Sequence, residues 1–197
     1  MVNLKGEPQC MAEQAMRWAR SRGATGQFVN LAPMYWKYSE IYGIRPDVLY
    51  CQAAKETGFG RFGGAVTPDM HNFAGIKVKN PTGDAKDDHE TFHNDEDGVE
   101  HHFIHMSAYV GGWPPKHKPH DRYEVVLKQS WAETVETVEG LSGKWAPSLD
   151  YGASIVRDYM QPMMAHESVT SCASCQAFEA EVKALKEKLA QIREIVG

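Results

Sequence analysis

Residues 45–60 read Arg45-Pro46-Asp47-Val48-Leu49-Tyr50-Cys51-Gln52-Ala53-Ala54-Lys55-Glu56-Thr57-Gly58-Phe59-Gly60. Proline at an early helical position opens a helix, and the glycines after Thr57 stop it. The stretch between is nearly all apolar, which predicts the buried central helix of a mainly helical domain. Glu56 stands at its end. A carboxyl group half out of water holds its proton near neutral pH and can give it to a leaving oxygen. A lone glutamate at a helix end is ordinarily a surface residue, so what flanks it decides its reading.

Upstream, residues 8–22 carry Met11, Ala15, Trp18 and Ala19 on one helical face. Residues 31–42 form a second helix with Tyr35, Tyr38 and Tyr42, ended by Gly43. Downstream, a glycine-rich loop leads to two short strands, 75–79 and 88–92, with their turn near 80–83. Helical patterns return at 98–110, 123–128 and 134–140, separated by a proline-broken loop at 113–119. Residues 147–163 begin as a turn and become the last helix. The fold class is therefore α+β, mainly α: one domain over 1–165 and a linker at 166–174. Residues 175–197 form a short coiled-coil helix, with Phe178, Val182, Leu185, Leu189, Ile192 and Val196 on a heptad seam. That seam is a handle for homo-oligomers, or a terminal helix packed on its own domain.

The chain has 197 residues and a formal net charge of −5, which argues against nucleic acid as the partner. No apolar run approaches the ~20 residues of a membrane span. Residues 1–22 lack the apolar core of a secretory signal, so the expectation is synthesis in a cytoplasm without the general export route. Cys10 and Cys51 lie in helical patterns and read as buried free thiols. Cys172 and Cys175 lack the further ligands that zinc needs.

The run from Gln52 to Gly60 resembles the catalytic signature of the lysozyme-like endo-β-N-acetylglucosaminidases that cut peptidoglycan, glycoside hydrolase family 73. The likeness continues in order through Gly43-Ile44-Arg45-Pro46-Asp47, Arg61-Phe62-Gly63-Gly64, Asn72-Phe73-Ala74-Gly75-Ile76, Gly98-Val99 with His102, His105 and Ala108-Tyr109, Gly143-Lys144-Trp145-Ala146 and Tyr151-Gly152. One such block is weak evidence; a series in order over residues 40–155 is strong. The resemblance implies a lysozyme-like fold with a β-hairpin lobe beside a substrate groove. It implies hydrolysis of the β-1,4 bond between N-acetylglucosamine and N-acetylmuramic acid, with Glu56 as general acid and then base. Peptidoglycan glycan strands would be the partner, with no metal or organic cofactor. Without a signal peptide, a lytic domain suits a phage endolysin, made in the host cytoplasm and acting on the wall after release. The same fold also serves N-acetylmuramidases and lytic transglycosylases. A non-enzymatic glycan-binding assembly protein is the alternative from another class.

The family's hairpin often carries a second acid. Between Asp84 and Glu100 there are eight acidic residues and one lysine. Strand alternation points Asp88 and Glu90 to one face, with Glu90 preferred, then Asp88. A substrate acetamido group acting as nucleophile needs no such residue. Most of this acidic run reads as a solvated loop. Asp95, Asp97 and Gly98 fit three places of a calcium loop, but His93 and Ile104 break it. His101 and His105 are one helical turn apart, a metal-ligand spacing, yet His102 and His105 read better as hydrogen-bonding groups of the core or cleft wall. Phe59 is the expected apolar wall of Glu56. Phe73, Trp113, Tyr123, Trp145 and Tyr151 are candidates for stacking on sugar rings, and Tyr151 for steadying the acetamido group. Gly58 and Gly60 leave room for the glycan.

Overall fold

The computed structural model describes residues 1–112 and 119–166. These residues are mainly helical. The expected coiled-coil seam, Cys172 and Cys175 lie outside them.

The chain enters as an extended segment. Asn3 bridges Thr137 and Lys5 bridges Ile44, both antiparallel, with wholly buried Leu4 between them. Helix α1 is Ala12–Ser21 and buries Ala15, Trp18 and Ala19. Helix α2 is Gly26–Tyr42, opened by Thr25, whose side chain accepts from Phe28 N, and closed by Gly43 in the left-handed conformation. Its tyrosines at 35, 38 and 42 all face inward.

Helix α3, Pro46–Thr57, is the centre the sequence foretells. Every residue from Pro46 to Ala54 is buried. Its polar members are paired. Asp47 receives the Arg45 guanidinium, with Nε–Oδ1 at 3.1 Å, and the amide of Gln9 at 3.1 Å. Breaking such a buried pair from one side costs about 3–5 kcal/mol, because the other charge is left stranded. Gly58 closes the helix at φ 57°.

Helix α4, Asp95–Val110, packs against α2. Asn94 caps it by accepting from Asp97 N at 2.9 Å, and Asp95, Glu96 and Asp97 fill its first turn. Part of the acidic run is thus a helix N-terminus complementing the helix dipole. Tyr42 Oη donates to Glu100 Oε1 at 3.0 Å across the α2–α4 seam. Gly98 lets α4 approach a short 3₁₀ turn, Pro68–Met70. A β-carbon there would lie 1.8 Å from the His71 carbonyl oxygen.

Helix α5 is Arg122–Leu127. Residues 134–140, expected to be helical, are instead extended into one 3₁₀ turn, Glu139–Leu141. Backbone partners stand on two sides. Val135 N donates to Tyr109 O at 2.9 Å, and Leu4 N donates to Glu136 O at 2.9 Å. The β-branched residues Thr134, Val135, Thr137 and Val138 suit that pairing. The last helical run is α6, Tyr151–Ile155, a π turn, Val156–Met160, and α7, Gln161–Ala165. Pro162 has no N–H for the α-helical ladder, and the widened turn precedes it.

The expected hairpin is reduced to one antiparallel bridge, Lys77 with His89. Val78 N to Asp88 O and Glu90 N to Ile76 O hold it, both near 3 Å. Asn72 braces it. Its amide donates to Ile76 O and Glu90 O at 2.8 and 2.9 Å and accepts from Ile76 N at 2.9 Å. The intervening loop forms a small lobe facing the end of α3.

Candidate active site

Glu56 emerges where α3 stops. It opens on a trough of about 360 Å³ whose facing wall carries Gly75, Lys77, Asp84 and His89. Behind it stands Tyr151, 4% exposed, whose hydroxyl donates to Glu56 Oε1. The Trp145 indole is placed to donate to the same carboxylate. Lys55 does not point away into solvent as adjacency on a helix would suggest. Its ammonium lies 5.6 Å from the Tyr151 ring centre and 5.8 Å from that of Tyr159.

These neighbours act on the carboxyl in opposite senses. Protein packed around Glu56 displaces hydration and pushes its pKa upward, while Tyr151, Lys55 and Trp145 pull it down; burial wins. Water still reaches one face of the group, since Glu56 counts as exposed at the trough floor. Its rise therefore stops short of that of a sealed carboxyl.

Asp84 faces it from the lobe with the opposite bias. Lys77 Nζ lies 3.0 Å from Asp84 Oδ1, and His89 Nε2 lies 3.4 Å from the same atom. The lysine hydrogen bond and charge hold the Asp84 carboxyl below the usual range. One carboxyl is pushed up and another, on a largely exposed side chain, is held down across a single trough, a pairing that can divide acid from base.

Past Gly75 and Lys77, which line both spaces, the trough meets a second hollow of about 560 Å³ walled by Trp145, Tyr109, Arg122 and Lys144. Trp145 is half-buried there. Its ring packs on those of His105 and Tyr109, each 5.1 Å away between centroids. It is both a plug of the core and a wall of the groove. A further hollow of about 560 Å³, around Asn3, Lys5 and Glu133, contains none of these groups.

Other nominated residues stand elsewhere. The Asp88 carboxylate is tied into its own loop. It accepts from the amides of Thr82 and Ala85, the latter at 3.0 Å, and from Thr82 Oγ1 at 3.2 Å. Those backbone bonds lower its pKa. Glu90 turns to a different hollow, beside Asp97, His101, His120 and Asp121, because only a single bridge precedes it and strand alternation does not govern the loop. Loss of hydration, with Asp121 nearby, raises its pKa.

Phe59 is not the wall of Glu56. At φ 64° its ring turns into the core, stacked on Tyr159 at 5.8 Å and edge-on to Trp18 at 5.1 Å. Phe73 is 1% exposed and Tyr123 9%, both core rather than groove. Gly60 leaves no sugar room either: a β-carbon there would strike Thr25 and Phe28, so it serves the packing of α2. Gly75 is the open position. The nearest atom to a β-carbon there would be Glu56 Oε2, at 3.5 Å. His102 is wholly buried and touches no groove. Trp113 lies outside the described residues. Among the described residues, no group of three His, Cys, Asp or Glu side chains is placed to hold a metal ion. No helix among them is long and apolar enough to cross a membrane.

Two groups escaped the sequence reading: Asp84, hidden among equivalent acids until Lys77 and His89 single it out, and Gln52. The latter sits four residues before Glu56, on the same helical face, and is wholly buried. A buried amide at that spacing is a signal that an apolar-run reading passes over.

Comparison with known proteins places the chain in a family. A protein of Borreliella burgdorferi described only as an uncharacterized protein is 32% identical over 120 residues, 60% of this chain and 55% of that protein. The chain thus spans about half the length of the curated relative it matches. No solved structure matches. Residues 32–164 match the Glucosaminidase family, described as mannosyl-glycoprotein endo-beta-N-acetylglucosaminidase, and they hold Glu56, Asp84, Trp145 and Tyr151 alike: the chain belongs to the glucosaminidase family of glycoside hydrolases.

Proposed function

We propose that this protein hydrolyses the β-1,4 bond between N-acetylglucosamine and N-acetylmuramic acid in peptidoglycan. The observation that carries the reading is Glu56 at the floor of an open trough, its pKa raised by surrounding protein while Tyr151 holds one of its oxygens. In the first step the protonated Glu56 gives its hydrogen to the glycosidic oxygen as positive charge grows on the sugar ring. Asp84, held ionised by Lys77, is the anion on the opposite wall. It stabilises that charge, orients the substrate's acetamido group or activates water. Glu56, now a carboxylate, then takes a proton from the incoming water. Arg122, Lys144 and Lys77 make the adjoining hollow cationic, which suits the carboxylates carried by muramic acid and its peptide. An acidic chain thereby keeps local attraction for an anionic wall.

Mass spectrometry of digested, borohydride-reduced peptidoglycan tests this. Glucosaminitol ends are the expected result. Muramitol ends would make the protein a muramidase and anhydro ends a transglycosylase. No digestion at all would leave a glycan-binding protein. We further propose that the heptad seam in residues 175–197 joins copies of the chain, which would raise wall affinity through avidity. Deleting residues after Ser174 should lower the mass measured by light scattering, and an unchanged mass would exclude it.

A further inference from the structure

Four hydrogen bonds run inward from Glu56 through groups that never meet the groove. The Tyr151 hydroxyl donates to Glu56 Oε1. Gln52 Nε2 donates to the Tyr151 oxygen at 2.9 Å. Gln52 Oε1 lies 3.1 Å from His102 Nε2, and His102 Nδ1 lies 2.9 Å from Tyr35 Oη. Gln52, His102 and Tyr35 are all wholly buried.

The direction of each bond follows from the one before it. Glu56 Oε1 accepts both when the carboxyl is ionised and when its proton sits on Oε2, so in either state the single phenolic hydrogen of Tyr151 points at Glu56. The Tyr151 oxygen then has only lone pairs for Gln52, which must offer its NH₂. That turns the Gln52 carbonyl to His102 and demands a hydrogen on Nε2. Burial keeps His102 neutral, its pKa pushed down to about 3, so Nδ1 is bare and accepts from Tyr35. The opposite histidine tautomer would reverse everything. A bare Nε2 would need the Gln52 NH₂, the amide would flip, and the phenolic hydrogen would turn from Glu56 to the Gln52 carbonyl.

We propose that Gln52, His102 and Tyr35 are positioning residues, a one-way hydrogen-bond chain that locks the Tyr151 hydroxyl onto Glu56 Oε1 and leaves Oε2 to carry and deliver the proton. Oε2 is the oxygen facing Gly75 and the open groove. The chain rests on the role given to Glu56 above. It explains why the buried stretch from Val48 to Ala54 holds an amide one turn before Glu56.

Other groups also bias Glu56. Lys55 shares its helix, Trp145 and Tyr159 stand behind it, and Lys77, Asp84 and His89 line the facing wall. Tyr35 contacts none of these groups in the bonds above, so Tyr35→Phe alters the chain alone. It keeps the ring that packs on Tyr50 and Phe103 and removes only the hydroxyl.

The test uses the full chain labelled with ¹⁵N-histidine and ¹³C-carboxyl glutamate. His102 should show the neutral Nε2–H tautomer from about pH 5 to pH 8, the window in which an ordinary histidine titrates. Tyr35→Phe should raise the Glu56 pKa, shift the alkaline limb of kcat upward, and lower kcat by about 10-fold, the low end for partners that orient a functional ligand. In a Tyr151→Phe background it should shift neither, since the link is already cut. An Nδ1–H or charged His102, or a Tyr35→Phe variant with lowered Tm but an unmoved Glu56 pKa, overturns the proposal. Should the wild-type protein cut no glycan, the proposed function fails while the nitrogen and carbon spectra still decide the hydrogen-bond order.

Discussion

The Tyr151 hydroxyl reaches Glu56 across 95 residues of sequence and donates to its carboxylate. Two segments far apart in the chain, the end of α3 and the start of α6, thus meet at one oxygen. The bond favours the ionised acid, and the surrounding protein favours the protonated one. In the proposed mechanism, their balance sets the pH at which Glu56 gives up its proton.

Activity should fall on the alkaline side as Glu56 loses its proton, at a pH above the ordinary glutamate range of about 4.3. On the acid side it should fall as Asp84 gains one, below the ordinary aspartate value of about 3.9. Tyr151→Phe removes a donor that stabilises the ionised form, so it should move the alkaline limb upward. Initial rates on purified peptidoglycan against pH check both limbs. An alkaline limb at or below the ordinary glutamate value would contradict the burial effect.

Glu56→Gln should lose at least about 100-fold in rate, the scale of a positioned acid. Its stability should change in the other direction. A carboxyl whose folded pKa is raised favours folding while protonated, and that advantage is lost as pH rises through the folded value. At neutral pH the glutamine variant, which cannot ionise, should therefore melt higher than the wild type. Below about pH 4 the two should converge. Calorimetry at both pH values measures this, and equal melting temperatures throughout would mean that ionising Glu56 carries no folding penalty.

How much of this was legible in the sequence differs from place to place. The central helix could be read from Arg45 to Gly58 because proline, apolar run and glycine are local signals, and each acts where it stands. The segment at 134–140 misled because its pattern fits a helix while Leu4 and Tyr109, distant in sequence, supply the backbone partners. Glu56 could be nominated because the blocks around it resemble a family in order; a helix end and a glycine break alone mark an ordinary surface glutamate. Asp84 could not, because eight acids of one chemistry stand nearby and only the fold places Lys77 and His89 beside one of them. Phe59 misled for a related reason. A positive φ sends its ring inward, and sequence neighbours of a left-handed turn do not follow helical facing.

Asp84→Asn and Glu90→Gln form a matched pair. Both remove a charge from the same small lobe. Asp84 faces the trough of Glu56, so its loss should reduce kcat by about 100-fold. Glu90 lines another hollow, and its loss should leave kcat within about 3-fold. Turnover measured at saturating peptidoglycan decides between them. The reverse ranking would restore Glu90 as the second acid.

The glycine after Tyr151 matters for a reason the tyrosine does not share. A β-carbon on Gly152 would lie 2.0 Å from the Val138 carbonyl oxygen and 2.5 Å from Glu139 Cα, both backbone atoms that cannot swing aside. Gly152→Ala must therefore push the start of α6 off the 3₁₀ turn, at a cost of about 1–3 kcal/mol for overpacking. Tyr151 moves with that backbone, so its hydroxyl should leave Glu56 and the alkaline limb should rise as it does in Tyr151→Phe. Gly26 is the control. It opens α2 with nothing within 4 Å of a β-carbon, so Gly26→Ala should be neutral or stabilising by up to about 1 kcal/mol. Urea denaturation of both variants, followed by a pH profile of Gly152→Ala, separates loss of packing from loss of alignment. A destabilised Gly152→Ala protein with a wild-type pH profile would show that α6 can shift without disturbing the acid.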